Sequence, residues 1–200
     1  KAGSFIDIVP SRGALVVSLK VTIDGVQKEI LYCPDINQSG GIPILWPFAN
    51  RIKDGKFSWQ GKEYNLKGIT GTKDDGKGNI YHGMVRNESW SVEDIGADDK
   101  GIFMTCALDT DNYPAMKEIF GSSKIRVTYR LKDNSLDIET SVVNKEKDRP
   151  IIMSLAFHPW FNVQDVQHAR VQIPAQKRWV AEDNIPTGEL KDVEGKYDLR

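Results

Sequence analysis

The chain has 200 residues with 27 basic and 28 acidic side chains, for a formal net charge of -1. That length suits a single domain with a substantial core, and the interspersed charges form no basic block or stripe of the kind a nucleic-acid or anionic-membrane partner requires. No apolar run reaches membrane-spanning length; Cys33 and Cys106 belong to no CxxC pair and have no histidine at zinc-finger spacing, so a structural metal is not expected and a reduced, cytoplasmic setting is the mild default.

Period two dominates the hydrophobic pattern. Leu15, Val17, Leu19, Val21 and Ile23 alternate with smaller or polar residues up to Asp24-Gly25, a favoured hairpin pair, and residues 30–32 return. Phe57-Ser-Trp59, Gln60-Gly61 and residues 62–66 read as a second hairpin. Further strands are expected over residues 90–95 and 102–108, the latter with Cys106 as a small core residue. The one credible helix runs from Asp111 to Phe120, with Asp111 or Asn112 as its cap and Gly121 as its terminator. Ile125, Val127, Tyr129 and Leu131 then alternate, turn at Asp133-Asn134 and pair with Leu136, Ile138 and residues 140–142. Residues 151–157, 171–173 and 178–181 complete the strand readings. Short strands between turn signals indicate an all-β fold, an antiparallel sandwich or barrel, with no internal repeat or linker.

The chemistry-bearing residues fall in a few clusters. Gly40-Gly-Ile-Pro-Ile-Leu-Trp-Pro-Phe-Ala-Asn50-Arg51-Ile52 is rich in glycine and proline yet strongly apolar, which suits a segment lying across a sheet and presenting Asn50 and Arg51 to a cavity. An amide and a guanidinium fork suit neighbouring hydroxyls, although Arg51 is equally open to pairing with a carboxylate. His82, in Asn79-Ile-Tyr-His82-Gly83, is flanked by flexible backbone and reads either as a functional imidazole or as one satisfied by a local carbonyl. His158, in Ser154-Leu-Ala-Phe-His158-Pro-Trp-Phe-Asn162, is the stronger acid-base candidate: the following proline holds it extended at a strand end, and Trp160 and Phe161 supply an apolar wall. His168 lies in a polar stretch and carries no signal. Trp46 and Trp160 adjoin these segments, and Trp59 and Trp90 read as structural. Aromatic faces beside hydrogen-bonding groups are what a pyranose needs. No P-loop, GxGxxG, GxSxG or EF-hand pattern is present in usable context.

Taken in order, these segments resemble the aldose 1-epimerase (galactose mutarotase-like) family. The match begins with the 40–52 run and continues through Asp54-Gly-Lys-Phe57, Gly61 and Tyr64. Next come Asn79-Ile-Tyr-His82-Gly83 with Trp90, then His158-Pro-Trp-Phe-Asn162. It ends with Pro186-Thr-Gly-Glu-Leu and Val193-Glu-Gly-Lys-Tyr-Asp198-Leu-Arg200. Each piece alone is modest; their order along nearly the whole chain is specific. The resemblance implies a large antiparallel β-sandwich (the mutarotase-like supersandwich) formed by residues 1–200 as one domain. It also implies interconversion of the α and β anomers of a hexose with no metal or organic cofactor. By position, His158 matches the general acid at the ring oxygen and His82 a second site histidine that hydrogen-bonds the sugar. Asn50 and Arg51 match hydroxyl-binding residues, and Trp160 adjoins them as a sugar-facing aromatic.

One departure concerns the catalytic glutamate, which in the family lies beyond the segment matched by Pro186 to Arg200. Neither Glu189 nor Glu194 is assigned that role, and the expectation is a sandwich without its C-terminal strands, a fragment or ordered part of a longer polypeptide. The Gly-Gly-Ile-Pro and Trp-Pro-Phe runs also lean toward the broader group that includes hexose-6-phosphate 1-epimerases, for which Arg51 and Arg86 are the candidate phosphate ligands. A non-catalytic carbohydrate-binding protein is the reading from a different class. Oligomeric state has no sequence signal.

Overall fold

The computed structural model describes residues 3–200. Strands β1 (Phe5–Val9), β2 (Leu15–Ile23) and β3 (Val26–Glu29) form an antiparallel sheet in chain order. The β2–β3 turn is the expected one: Asp24 and Gly25 both adopt positive φ (52° and 78°), which matches the turn to the twist of the flanking strands. Strand β1 escaped the sequence reading, and β3 ends where residues 30–32 were expected to pair. There the chain changes partner, Ile30 N–H donating to the Leu19 carbonyl and Tyr32 N–H to that of Trp160.

Four short strands follow, β4 (Ile44–Leu45), β5 (Arg51–Ile52), β6 (Lys56–Trp59) and β7 (Lys62–Asn65). The last two make the predicted hairpin through Gln60 and Gly61, and β5 pairs with β8 (Ile80–Tyr81). The large sheet has the order β12-β11-β10-β9, from β9 (Ser91–Asp98), β10 (Gly101–Asp109), β11 (Ser123–Lys132) and β12 (Ser135–Asn144). Strand β11 shows how the period-two code works: Ser123, Ile125, Val127, Tyr129 and Leu131 are buried, whereas Lys124, Arg126 and Arg130 point outward. Arg126 meets Glu93 and Arg130 meets Asp98 across that outer face. The inner side chains share one core with Val16, Leu31, Ile42, Ile44 and Trp46, so the large sheet and the layer holding β2 and β4 form an antiparallel β-sandwich. Fully burying a residue such as Ile125 contributes about 1.5–3 kcal/mol.

The helix differs in its start. Thr110–Asn112 is a 3₁₀ turn whose Asp111 N–H is capped by Asp109, and α1 (Pro114–Phe120) begins after Tyr113 with no side-chain cap. Pro114 in the first turn needs no N–H partner and supplies the helical φ, so Asp111 and Asn112 are not required as caps. Asp111 instead binds Lys145, Lys117 and Ser122. Gly121 ends the helix as expected.

Of the strand expected over residues 151–157, only β13 (Ala156–Phe157) forms, paired with β4. The cause lies in the partner, because Pro47 and Pro43 flank β4. Their carbonyls accept from Ser154 and His158, but neither proline has an N–H to return, and the ladder stops at both ends. Residues 171–173 also form no strand; Ile173 donates to the Leu199 carbonyl and accepts from Ala175 N–H two residues on, a local turn contact and not a ladder. The chain closes with the hairpin β14 (Lys177–Glu182) and β15 (Ile185–Asp192). Among the described residues no helix is long and apolar enough to cross a membrane.

Candidate active site

Residues 41–50 form the plate on which the site is built. On one edge, Gly41 donates to Tyr32 and accepts from Trp160, and Pro43 accepts from His158 N–H at 3.1 Å, while the intervening Ile42 N–H turns the other way to the Val16 carbonyl. On the other edge, the Trp46 carbonyl accepts from Met84 N–H and the Asn50 carbonyl from His82 N–H, both at 2.9 Å. The two histidine segments, distant in sequence, are thus bonded to opposite edges of one apolar ribbon. The glycines make this approach feasible. A Cβ on Gly41 would stand 2.2 Å from the Val16 carbonyl oxygen, and one on Gly83 would stand 2.3 Å from that of Trp46.

The imidazoles of His82 and His158 meet edge to face with ring centroids 5.4 Å apart. Trp160 stacks on His158 at 5.7 Å and is 38% exposed. Tyr81 abuts the far side of His82 at 4.7 Å. Burial, followed by the positive neighbours His158, Arg51, Arg86 and Lys73, pushes the His82 pKa down to about 4. His82 is therefore neutral near pH 7, and its enclosed Nδ1 has no hydrogen-bond partner among the described residues.

Asn50 and Arg51 reach this cluster through a polar network. Asn50 adopts φ 57°, and its amide donates to the Asn184 carbonyl in the β14–β15 turn. Arg51 donates from Nη1 to Asn50 Oδ1 and from Nε to Asp75 at 3.0 Å, while its guanidinium lies over the Tyr81 ring. Arg51 is thus a carboxylate partner, as one of its two readings had it, and shares that network with Asn50 and Tyr81. The Asp75 side chain is only 6% exposed. The Asn79 amide, the N–H groups of Lys77 and Asn79, and Arg51 hold its carboxyl well below the ordinary range. Asn79 also accepts from Asp54 N–H, tying the loop to the 3₁₀ turn Lys53–Gly55 that follows β5.

The structure therefore brings His82, His158, Trp160, Asn50 and Arg51 into one connected neighbourhood. Trp46 lies beneath it, 1% exposed. His168 stands apart, exposed and paired with Asp165. Glu189 sits on β15 and meets Lys191. Neither His82 nor His158 contacts a carboxylate, and no group of three metal-ligating side chains is assembled, among the described residues. Sequence reasoning missed Asp75 and Asn184. Asp75 lies in Asp74-Asp75-Gly-Lys-Gly-Asn79, whose only local signal is that of a turn, and Asn184 contributes backbone alone.

The fold and these motifs have known counterparts. A galactose mutarotase-like protein from Clostridium acetobutylicum superposes with a TM-score of 0.81 at 29% identity over 98% of this chain and 60% of that one. The Slr1438 protein of Synechocystis gives 0.71 at 26% identity, over 96% of this chain and 60% of that one. A galactose 1-epimerase from Lactobacillus acidophilus, 18% identical, shares the fold at a TM-score of 0.72 over 100% of this chain and 59% of that one. The chain thus spans about 60% of the length of the structures it matches. A family model described as aldose 1-epimerase matches residues 3–200, the same stretch in which the glycine-proline plate and its two histidine segments occur, and the chain belongs to that family.

Proposed function

We propose that this neighbourhood binds a hexose and exchanges its anomers by ring opening. The observation that carries the reading is the approach of His82 and His158 from opposite edges of one ribbon to 5.4 Å, beside an exposed tryptophan face. His158 delivers a proton to the ring oxygen as the C1 hydroxyl proton passes to a base, the C1–ring-oxygen bond breaks, and the open aldehyde forms. Rotation about C1–C2 and reversal of both transfers close the ring on the other face. His82, held neutral, hydrogen-bonds a sugar oxygen, and Asn50 and Arg51 bind hydroxyls. We assign no carboxylate of this chain to the base. The test is polarimetry of freshly dissolved α-glucose and α-galactose with the purified protein. His158→Asn removes most of the acceleration if the assignment holds; full rate in that variant sinks it.

A second reading, sugar binding without turnover, is favoured by the lack of a carboxylate against either imidazole among the described residues. Calorimetric binding of a hexose with no acceleration in polarimetry would select it.

A further inference from the structure

The backbone forks at the end of β3. Ile30 N–H reaches the Leu19 carbonyl at 2.8 Å, one step beyond the Lys20–Glu29 pair of the β2–β3 ladder. In an antiparallel ladder the reciprocal bond, from Leu19 N–H to the Ile30 carbonyl, would complete such a pair. That carbonyl has turned away to accept Asn162 N–H at 2.8 Å. The Glu29 side chain takes its place, with Oε1 accepting Leu19 N–H at 2.9 Å and Leu31 N–H at 3.0 Å. Its other oxygen, Oε2, accepts the Ser18 hydroxyl. Burial alone would raise the Glu29 pKa, but the Ser18 hydroxyl, the two N–H groups and the charge of Lys20 hold it below its ordinary value. The fork is therefore closed by an anion that can only accept.

The other prong leads to the candidate site. Residues 30–32 run antiparallel to 160–162, with Leu31 bridging Phe161 and Tyr32 N–H donating to the Trp160 carbonyl at 2.8 Å. The Asn162 side-chain amide reaches the backbone carbonyl of Glu29 itself at 3.3 Å. Trp160 N–H donates to Gly41, whose own N–H donates to Tyr32, so Trp160 is tied on both sides. Glu29 thus binds β2 through its side chain and the Trp160 segment through its backbone.

We propose that Glu29 is a positioning residue for the candidate site: by holding residues 30–32 against β2, its carboxylate fixes the Trp160 segment and, through Trp160, the His158 ring stacked on it. The effect on ligand binding rests on the sugar reading of the imidazole pair. With three donors on it, the carboxylate acts on the chain around it and takes no part in proton transfer. Without it, Leu19 and Leu31 N–H lose their acceptor, and residues 30–32 are free to part from β2.

Amide exchange followed by NMR, with calorimetry of glucose and galactose binding, tests this in Glu29→Ala and Glu29→Gln. In Glu29→Ala the amides of Tyr32, Trp160 and Asn162 are expected to exchange roughly tenfold faster, the effect of one lost hydrogen bond. Those of His82 and Met84, on the opposite edge of the ribbon, keep their rates. Glu29→Gln retains an oxygen for the two N–H groups and restores slow exchange. Hexose affinity falls severalfold in Glu29→Ala and recovers in Glu29→Gln. The fall disappears when Glu29→Ala is added to Trp160→Ala, because the effect passes through that ring. Exchange accelerated equally at both edges or at neither overturns the proposal, as does a hexose affinity that Glu29→Ala leaves unchanged or lowers just as much without Trp160. If the unaltered protein binds neither hexose, the sugar reading fails, and the exchange pattern alone decides whether Glu29 holds the Trp160 segment.

Discussion

The carbonyl of Asn50 accepts the N–H of His82 at 2.9 Å, and both residues stand in the left-handed region, at φ 57° and 64°. Such a conformation costs a bulky residue on the order of 1–3 kcal/mol, with asparagine among the more tolerant types. The bond sets the Asn50-Arg51 pair and the second imidazole at one edge of the ribbon, with His158 held at the other by Pro43. The geometry of the site is therefore a property of backbone contacts as much as of side chains.

Gly83→Ala tests that backbone. At φ 74°, with its new Cβ only 2.3 Å from the Trp46 oxygen and 2.6 Å from the Trp46 nitrogen, the variant must move residues 82–84 off the ribbon. Left-handed strain and the clash together are expected to cost at least about 2 kcal/mol in urea unfolding, with sugar affinity falling in parallel. An unchanged unfolding midpoint would mean that this contact does not fix His82.

Asp75 is expected to act on the sugar through Arg51. It accepts from Arg51 Nε and Asn79 Nδ2 at 3.0 Å each, and from two loop N–H groups. In Asp75→Asn the charge that orients the guanidinium is gone, and hexose affinity should fall roughly tenfold. Because the residue works through its partner, adding Asp75→Asn to Arg51→Ala should cost little more than Arg51→Ala alone. Additive losses in that double-mutant cycle would show that the two act separately.

His82 should titrate near pH 4 by NMR. Its folded pKa lies below the ordinary 6.5, so between these values the unfolded chain binds more protons. Its neutral, folded-state contribution is complete above about pH 6.5 and is lost as pH falls toward 4. Since His158 is among the charges that depress it, His158→Asn should move the His82 titration upward, and His82→Asn should flatten the stability slope across that window. A His82 resonance titrating near 6.5 in the folded protein would remove the case for a neutral imidazole.

How far these features were legible in the sequence follows from the range of the forces involved. Strands β2, β11 and β12 announced themselves by apolar alternation, which burial follows fully in β11 and in half-buried form in β12, and Asp24-Gly25 and Gln60-Gly61 marked their turns by local backbone preference. Residues 151–155 and 171–173 carried the same apolar content without forming strands, because pairing depends on a partner's donors, and a proline in the partner is invisible from within the segment. Strand β15 was overlooked for a related reason: Pro186 at its start reads as a break, yet it sits beside a ladder irregularity that tolerates it. At the site, His82, His158, Asn50 and Arg51 were legible as motif residues. Asp75 was not, since an aspartate in a glycine-rich loop looks the same whether or not an arginine distant in sequence settles on it.

Tyr129 links the large sheet to the layer that carries the site. Its hydroxyl donates to the Ala14 carbonyl at 2.7 Å in the core, where burial, with Cys106 nearby, raises its pKa well above the usual phenol range. Ala14 itself adopts φ 51° at the entry to β2, two residues before Val16, whose carbonyl anchors Ile42 in the ribbon. Tyr129→Phe keeps the ring and its packing but leaves that carbonyl buried without its donor, a cost of about 1–3 kcal/mol. Urea unfolding should show the loss as a lower midpoint at unchanged slope, the signature of a weakened folded state and not of an altered unfolded one. A cost below about 0.5 kcal/mol would mean that water or a relaxed backbone replaces the hydroxyl, and that the left-handed Ala14 is fixed by its neighbours without Tyr129.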